Sequence, residues 1–171
     1  DFGEGFGRYS LYKEEEVLPH LTSVNVACGF HAGDPNIMRK IARLCREHGV
    51  GLGAHPGFPD LMGFGRRFMK CSDEELENYL YYQMGALEGM AKLHGLKLQH
   101  CIAHGAWGNW LEQDMENARK FVKAVAAYDR DIAIMAIAGG YRIQAAEELG
   151  LKTANEFFAD REVGDNGRLV P

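Results

Sequence analysis

At 171 residues the chain has the length of one domain with a substantial core. Its 46% hydrophobic and 25% charged residues exclude a disordered or fibrous chain, and a net charge of -5 without a basic stripe argues against nucleic acid as a partner. No apolar run approaches the roughly 20 residues that span a bilayer, no secretory signal is visible, and the four cysteines (Cys28, Cys45, Cys71, Cys101) form no C-x-x-C pair. Free thiols in a reducing compartment and a cytoplasmic location are the expectation.

The chain opens in a glycine-rich turn, Asp1-Phe2-Gly3-Glu4-Gly5. A βα-type domain carries a strand before such a turn, and the polar stretch that ends at Pro171 reads as unfinished. Residues 1–171 are therefore expected to be one domain, incomplete at both ends. Such a segment is expected not to form a stable, active monomer by itself, because missing strands leave unpaired edges. The run Glu14-Glu15-Glu16 reads as a solvated helix face.

Strand and helix signals then alternate. Val24 to Cys28 is a short β-leaning run ending at Gly29. Asp34 is an N-cap candidate with Pro35 behind it; Ile37, Met38, Ile41, Ala42 and Cys45 keep helical spacing as far as Gly49. Val50 to Ala54 is the next strand, and Pro56 to Lys70 reads as a long loop. Ser72 with Glu75 is a capping box opening a helix that ends at Gly95. Leu96 to Ile102 is a strand, Asp114 to Ala127 a helix, and Asp131 to Ala138 a continuous apolar strand of the kind buried on both faces. A helix over Tyr141–Leu149 and a strand that starts over Lys152–Phe157 and ends near Asp160-Arg161 follow. Repeated β-then-α units predict an α/β fold with a parallel sheet. Periodicity does not separate a barrel from an open sheet, but functional residues after nearly every strand favour the barrel.

Three histidines stand at predicted strand ends: His31 in Gly29-Phe30-His31-Ala32-Gly33-Asp34, His55 in Gly53-Ala54-His55-Pro56-Gly57, and His104 in Ala103-His104-Gly105. In a parallel α/β protein those ends converge on one face, where ligands bind. Asp34 reads equally as a site carboxylate and as an N-cap. Asn109 is a polar partner for His104, while Asp1, Glu4, Asp160 and Arg161 lie at other turns or strand ends. His20, His48 and His94 fall near helix ends and His100 inside a strand, where structural roles are expected. Imidazole with carboxylate suits either a divalent metal or general acid–base chemistry, and the spacing does not choose between them, since H-E-x-x-H is absent. Neither nucleotide-binding glycine motif occurs, nor the G-x-S-x-G elbow.

Taken together, these segments resemble the LamB/YcsF family, to which the A subunit of bacterial 5-oxoprolinase belongs. Asp1-Phe2-Gly3-Glu4-Gly5 is similar to the latter half of the family motif D-L-N-x-D-x-G-E. Asn25 with Val26-Ala27-Cys28-Gly29-Phe30-His31-Ala32-Gly33-Asp34 is close to N-x-A-C-G-F-H-A-G-D. Gly51 to Asp60, Phe64-Gly65-Arg66-Arg67, Glu156 to Arg161 and Gly167 to Pro171 resemble further blocks. The resemblance implies a seven-stranded (β/α) barrel of polysaccharide-deacetylase-like architecture. It also implies ATP-dependent opening of 5-oxo-L-proline to L-glutamate with partner B and C subunits. Around the third histidine the family's K-P-H-G-x-L-Y-N is replaced by Ile102-Ala103-His104-Gly105-Ala106-Trp107-Gly108-Asn109, without the lysine and the tyrosine.

Three expectations follow. In the first, a lactam-opening subunit uses His31 and His55 for proton transfer, Glu4 and Asp34 to orient them, and Arg66 for a substrate carboxylate. His104 completes the catalytic set, and Asp1, Asn109, Asp160 and Arg161 contact substrate. In the second, the same residues serve a metal-dependent deacetylase or amidohydrolase without ATP. In the third, motivated by the altered His104 block, the chain binds its ligand without turning it over.

Overall fold

A computed structural model describes residues 1–11, 13–158, 162 and 164. Five strands form one parallel sheet in the order β1-β2-β3-β4-β5: β1 Ser23–Ala27, β2 Gly51–His55, β3 Leu98–Cys101, β4 Ala133–Ile137 and β5 Thr153–Glu156. Sequence neighbours are therefore sheet neighbours throughout, the arrangement that βα units with short connections produce. Outside β1, Phe2 bridges Val26 in parallel, with Phe2 N–H donating to Asn25 O at 2.7 Å and Ala27 N–H to Phe2 O at 2.9 Å. Among the described residues β1 and β5 do not pair, so neither barrel closure nor a count of seven strands is observed.

The helices are α1 Glu14–Val17, α2 Pro35–His48, α3 Asp73–Lys92, α4 Gly105–Leu111, α5 Met115–Tyr128 and α6 Tyr141–Glu148. Helix α2 starts where the sequence says it must. Asp34 accepts from Asn36 N and Ile37 N, Pro35 occupies the first turn, and Gly49 ends the helix in the left-handed region at φ 68°. Ser72 and Glu75 close a complete capping box on α3. The apolar stripes of α2, α3 and α5 bury Ile41, Leu80, Met84, Leu87, Val122 and Val125 against Val26, Leu52, Ala54, Cys101 and Ile134 of the sheet.

Three local expectations change. Glu14 is buried and accepts a hydrogen bond from Gly3 N–H, so only part of the acidic run is solvated. Strand β4 alternates instead of being covered on both sides: Ile134 and Ala136 are buried, whereas Ala133, Met135 and Ile137 are half-buried. Register explains the alternation, since Ala133 pairs with His100 and lies on the face that carries polar residues rather than helices. Helix α4 has no counterpart in the sequence pattern, because its seven residues, Gly105 to Leu111, are too few to show a period.

Candidate active site

Strands β1, β2 and β3 each lead to one histidine of a common cluster. His31 follows β1, His55 is the last residue of β2, and His104 is the N-cap residue of α4 just after β3. All three are buried, with 0%, 3% and 2% exposure, and Glu4 of the opening turn joins them. One donor atom from each of Glu4, His31, His55 and His104 lies within 4.8 Å of the others.

Hydrogen bonds fix two of the rings. His55 Nδ1 lies 2.9 Å from Ile102 O, and His104 Nε2 lies 2.8 Å from Phe64 O. A carbonyl only accepts, so each of these nitrogens carries the N–H. His55 Nε2 and His104 Nδ1 then face each other at 2.9 Å as lone pairs when both rings are neutral. The neutral form is the one burial favours: desolvation lowers His55 to about 4 and His31 and His104 to about 3. Two bare lone pairs at that distance repel unless a cation lies between or beside them.

His31 stacks on His104 with centroids 3.7 Å apart and planes within 4°. Neither of its ring nitrogens has a hydrogen-bond partner, and Glu4 Oε1, 3.8 Å from His31 Nε2, is likewise buried without one. Buried polar atoms without partners are costly and uncommon. Here they converge on one point. Three imidazoles and a carboxylate, two of the rings held by backbone carbonyls, are a donor set that fits a divalent cation of the zinc type.

The surroundings serve this geometry. Phe64 holds a left-handed φ of 55°, uncommon for a non-glycine residue, and its carbonyl meets His104. Gly65 is a glycine because a Cβ there would lie 2.8 Å from His31 Cβ and 2.9 Å from His104 Cδ2. The loop bearing both is knitted by Asp60, which accepts from Gly63 N–H and pairs with Arg67. Asp1 is the open side of the site, with a side chain 40% exposed and Oδ1 3.3 Å from His55 Nε2.

Not every expected residue joins the cluster. Asp34 caps α2 and also accepts from Gly7 N–H at 2.8 Å, which ties the opening turn to the helix. Arg66 is exposed, its guanidinium 5.8 Å from the Phe64 ring centroid, and it helps to hold the His31 pKa down. Asn109 is exposed on α4, and Asp160 and Arg161 lie outside the described residues.

Two residues outside the expected set, His100, read as structural, and Asn25, belong to the site's surroundings. His100 Nε2 lies 2.6 Å from Asn25 Oδ1, reaching across Gly53, where any Cβ would strike its ring. Asn25 Nδ2 in turn donates to Asp1 Oδ1 at 3.0 Å, so the pair holds the carboxylate at the mouth. Their signal is the two-residue period that places Asn25, Gly53 and His100 in one row of the sheet. Glu156 ends β5, where burial raises its pKa, opposed by Arg142 and His55.

Residues 1–171 match the LamB/YcsF family over their whole length. The chain belongs to that family. It is 50% identical over 171 residues to the A subunit of 5-oxoprolinase from Pyrococcus horikoshii, covering all of this chain and 67% of the relative. The corresponding 5-oxoprolinase chain of Thermococcus onnurineus is 51% identical over 170 residues, covering 99% and 67%. The crystal structure of a lactam utilization protein from Thermus thermophilus superposes with a TM-score of 0.92 at 40% identity, covering 99% of this LamB/YcsF chain and 68% of that one. Among the described residues no helix is long and apolar enough to cross a membrane.

Proposed function

We propose that this chain is the lactam-handling subunit of an ATP-dependent 5-oxoprolinase, which opens 5-oxo-L-proline to L-glutamate in the cytoplasm together with B and C subunits. The names of its relatives support the substrate class, and their being named as subunits supports partner chains. The observation that carries the reading is the convergence of the unpartnered Glu4 Oε1 and His31 ring nitrogens with the facing lone pairs of His55 and His104. Closure into a seven-stranded (β/α) barrel of the polysaccharide-deacetylase type belongs to the same proposal. The sequential parallel order of the strands supports it.

In this reading Glu4, His31, His55 and His104 would hold a divalent cation, which would supply Lewis acidity to the amide and lower the pKa of a water. Asp1 takes a proton from the attacking water, and Asn25 with His100 keeps its carboxylate aimed at the site. Water oxygen bonds to the carbonyl carbon, the ring C–N bond breaks, and the proton passes to the leaving nitrogen. Arg66 pairs with the substrate carboxylate; Asn109, Asp160 and Arg161 remain candidate substrate contacts. The chain carries no recognised phosphate-cradling motif. ATP is therefore assigned to the assembled enzyme, and no step on this chain passes through it.

Glutamate formation from 5-oxo-L-proline and ATP by the assembled enzyme tests the proposal. His55→Ala is expected to lower it by about 10²–10⁴-fold; full retention contradicts the assigned site. The donor set also favours a second reading, metal-dependent amide hydrolysis or deacetylation without ATP. Glutamate release that persists when ATP is omitted selects that reading. Substrate binding without any glutamate selects a non-catalytic subunit.

A further inference from the structure

Two histidines of the cluster are oriented by carbonyls, and the third is not: His31 is held by packing alone. One wall of its ring is Gly57, so close that a Cβ there would lie 2.5 Å from His31 Nδ1. Gly57 is itself clamped. Gln83, fully buried in α3, accepts from Gly57 N–H at 2.9 Å and donates through Nε2 to Gly57 O at 3.0 Å. The same Nε2 donates to Tyr79 O at 3.0 Å, anchoring the amide to its own helix.

We infer that Gln83 is a positioning residue for the site, a two-point clamp that presses the Gly57 backbone against His31 and so fixes the ring that no hydrogen bond fixes. A buried amide is an expensive side chain among Leu80, Met84 and Leu87 of the same helix. Its donor and acceptor are used on the two peptide groups that flank one residue, and that residue touches His31. The other wall is the parallel His104 ring, oriented by Phe64 O. His31 is thus in contact with a carbonyl-oriented ring and with a glutamine-oriented backbone. Positioning partners of ligating histidines act in this way, through orientation rather than contact.

The inference rests on the cluster being the working site, and its test separates the two claims. Imidazole ¹⁵N and ¹H resonances of the full chain are recorded in metal-free protein for wild type, Gln83→Met and Gln83→Glu at neutral pH. Methionine removes both bonds while filling the space; glutamate keeps the acceptor for Gly57 N–H and sets a carboxylate oxygen against the carbonyls. The clamp predicts that His31 resonances shift or double in both variants while those of His100, held by Asn25, stay in place. Zinc affinity is then expected to fall by about 10–100-fold. Should Gln83→Met fail to fold, Gln83→Glu alone decides. His31 resonances that coincide with wild type in a folded variant overturn the inference, as do shifts of equal size in every histidine. A shifted His31 in a protein that binds no zinc leaves the clamp standing and removes the metal reading instead.

Discussion

The two faces of the sheet obey opposite rules. On the helix-facing side Val26, Leu52, Ala54, Cys101 and Ile134 are buried among apolar side chains, and burial raises the Cys101 thiol far above its usual range. On the other side the same strands present Asn25, His55 and His100, and the cluster leaves buried nitrogens and a carboxylate oxygen without partners. A dry face maximises burial and packing, which is what stability requires. A face that keeps polar atoms both buried and unpaired gives up stability, and such a face is arranged for a ligand. Alternation along a strand lets one short run of residues serve both ends at once.

Substitutions on the two faces should therefore separate activity from stability. The largest effect is expected for His31→Ala: glutamate formation by the assembled enzyme falls by about 10²–10⁴-fold. Its unfolding free energy should change less than that of a core truncation, because two unpaired buried nitrogens leave with the ring. Next in size is Leu52→Ala on the helix face, expected to cost about 2–5 kcal/mol in denaturant unfolding. Its effect on turnover should follow the folded fraction alone. If Leu52→Ala abolished turnover while still folded, or His31→Ala were the more destabilising change, the contrast between the faces would be lost.

Mild acid tests the same buried rings through stability. His31, His55, His100 and His104 have pKa values lowered by burial to about 3, 4, 4 and 3, below the ordinary value of 6.5 that the unfolded chain restores. Well above 6.5 both states are neutral and these groups contribute no pH dependence. Below it the unfolded state binds more protons, so stability falls as pH falls. Between about pH 7 and pH 6 the metal-free chain should begin to lose unfolding free energy, and the loss should steepen toward about pH 5. A stability that rises with acidification over this range would mean that the rings are not buried in neutral form.

Much of this was legible in the residues. Caps are local, so Asp34, Gly49 and the Ser72–Glu75 box marked helix ends that the structure reproduces. The three glycine-flanked histidines could be placed together because parallel strands end on one face. What the sequence could not carry was tertiary. Asp34 offered two roles, and its bonds to the α2 N-terminus and Gly7 show the capping one. Which nitrogen of each ring is protonated depends on carbonyls of Ile102 and Phe64, 47 and 40 positions away from the histidines they meet. His100 read as a structural strand residue because its partner Asn25 is 75 positions distant. Gln83 has the look of any helix glutamine in the sequence; only the fold places Gly57 between its amide and His31.

The central claim of the proposed function is that Glu4, His31, His55 and His104, whose donor atoms lie within 4.8 Å of one another, would hold a divalent cation. Calorimetric titration of Zn²⁺ into the metal-free full chain at neutral pH, with metal content measured after dialysis, addresses it directly. The account predicts one zinc per chain, with binding that is lost in His55→Ala and greatly weakened in Glu4→Gln. No binding, or equal binding in the His55→Ala variant, would contradict it.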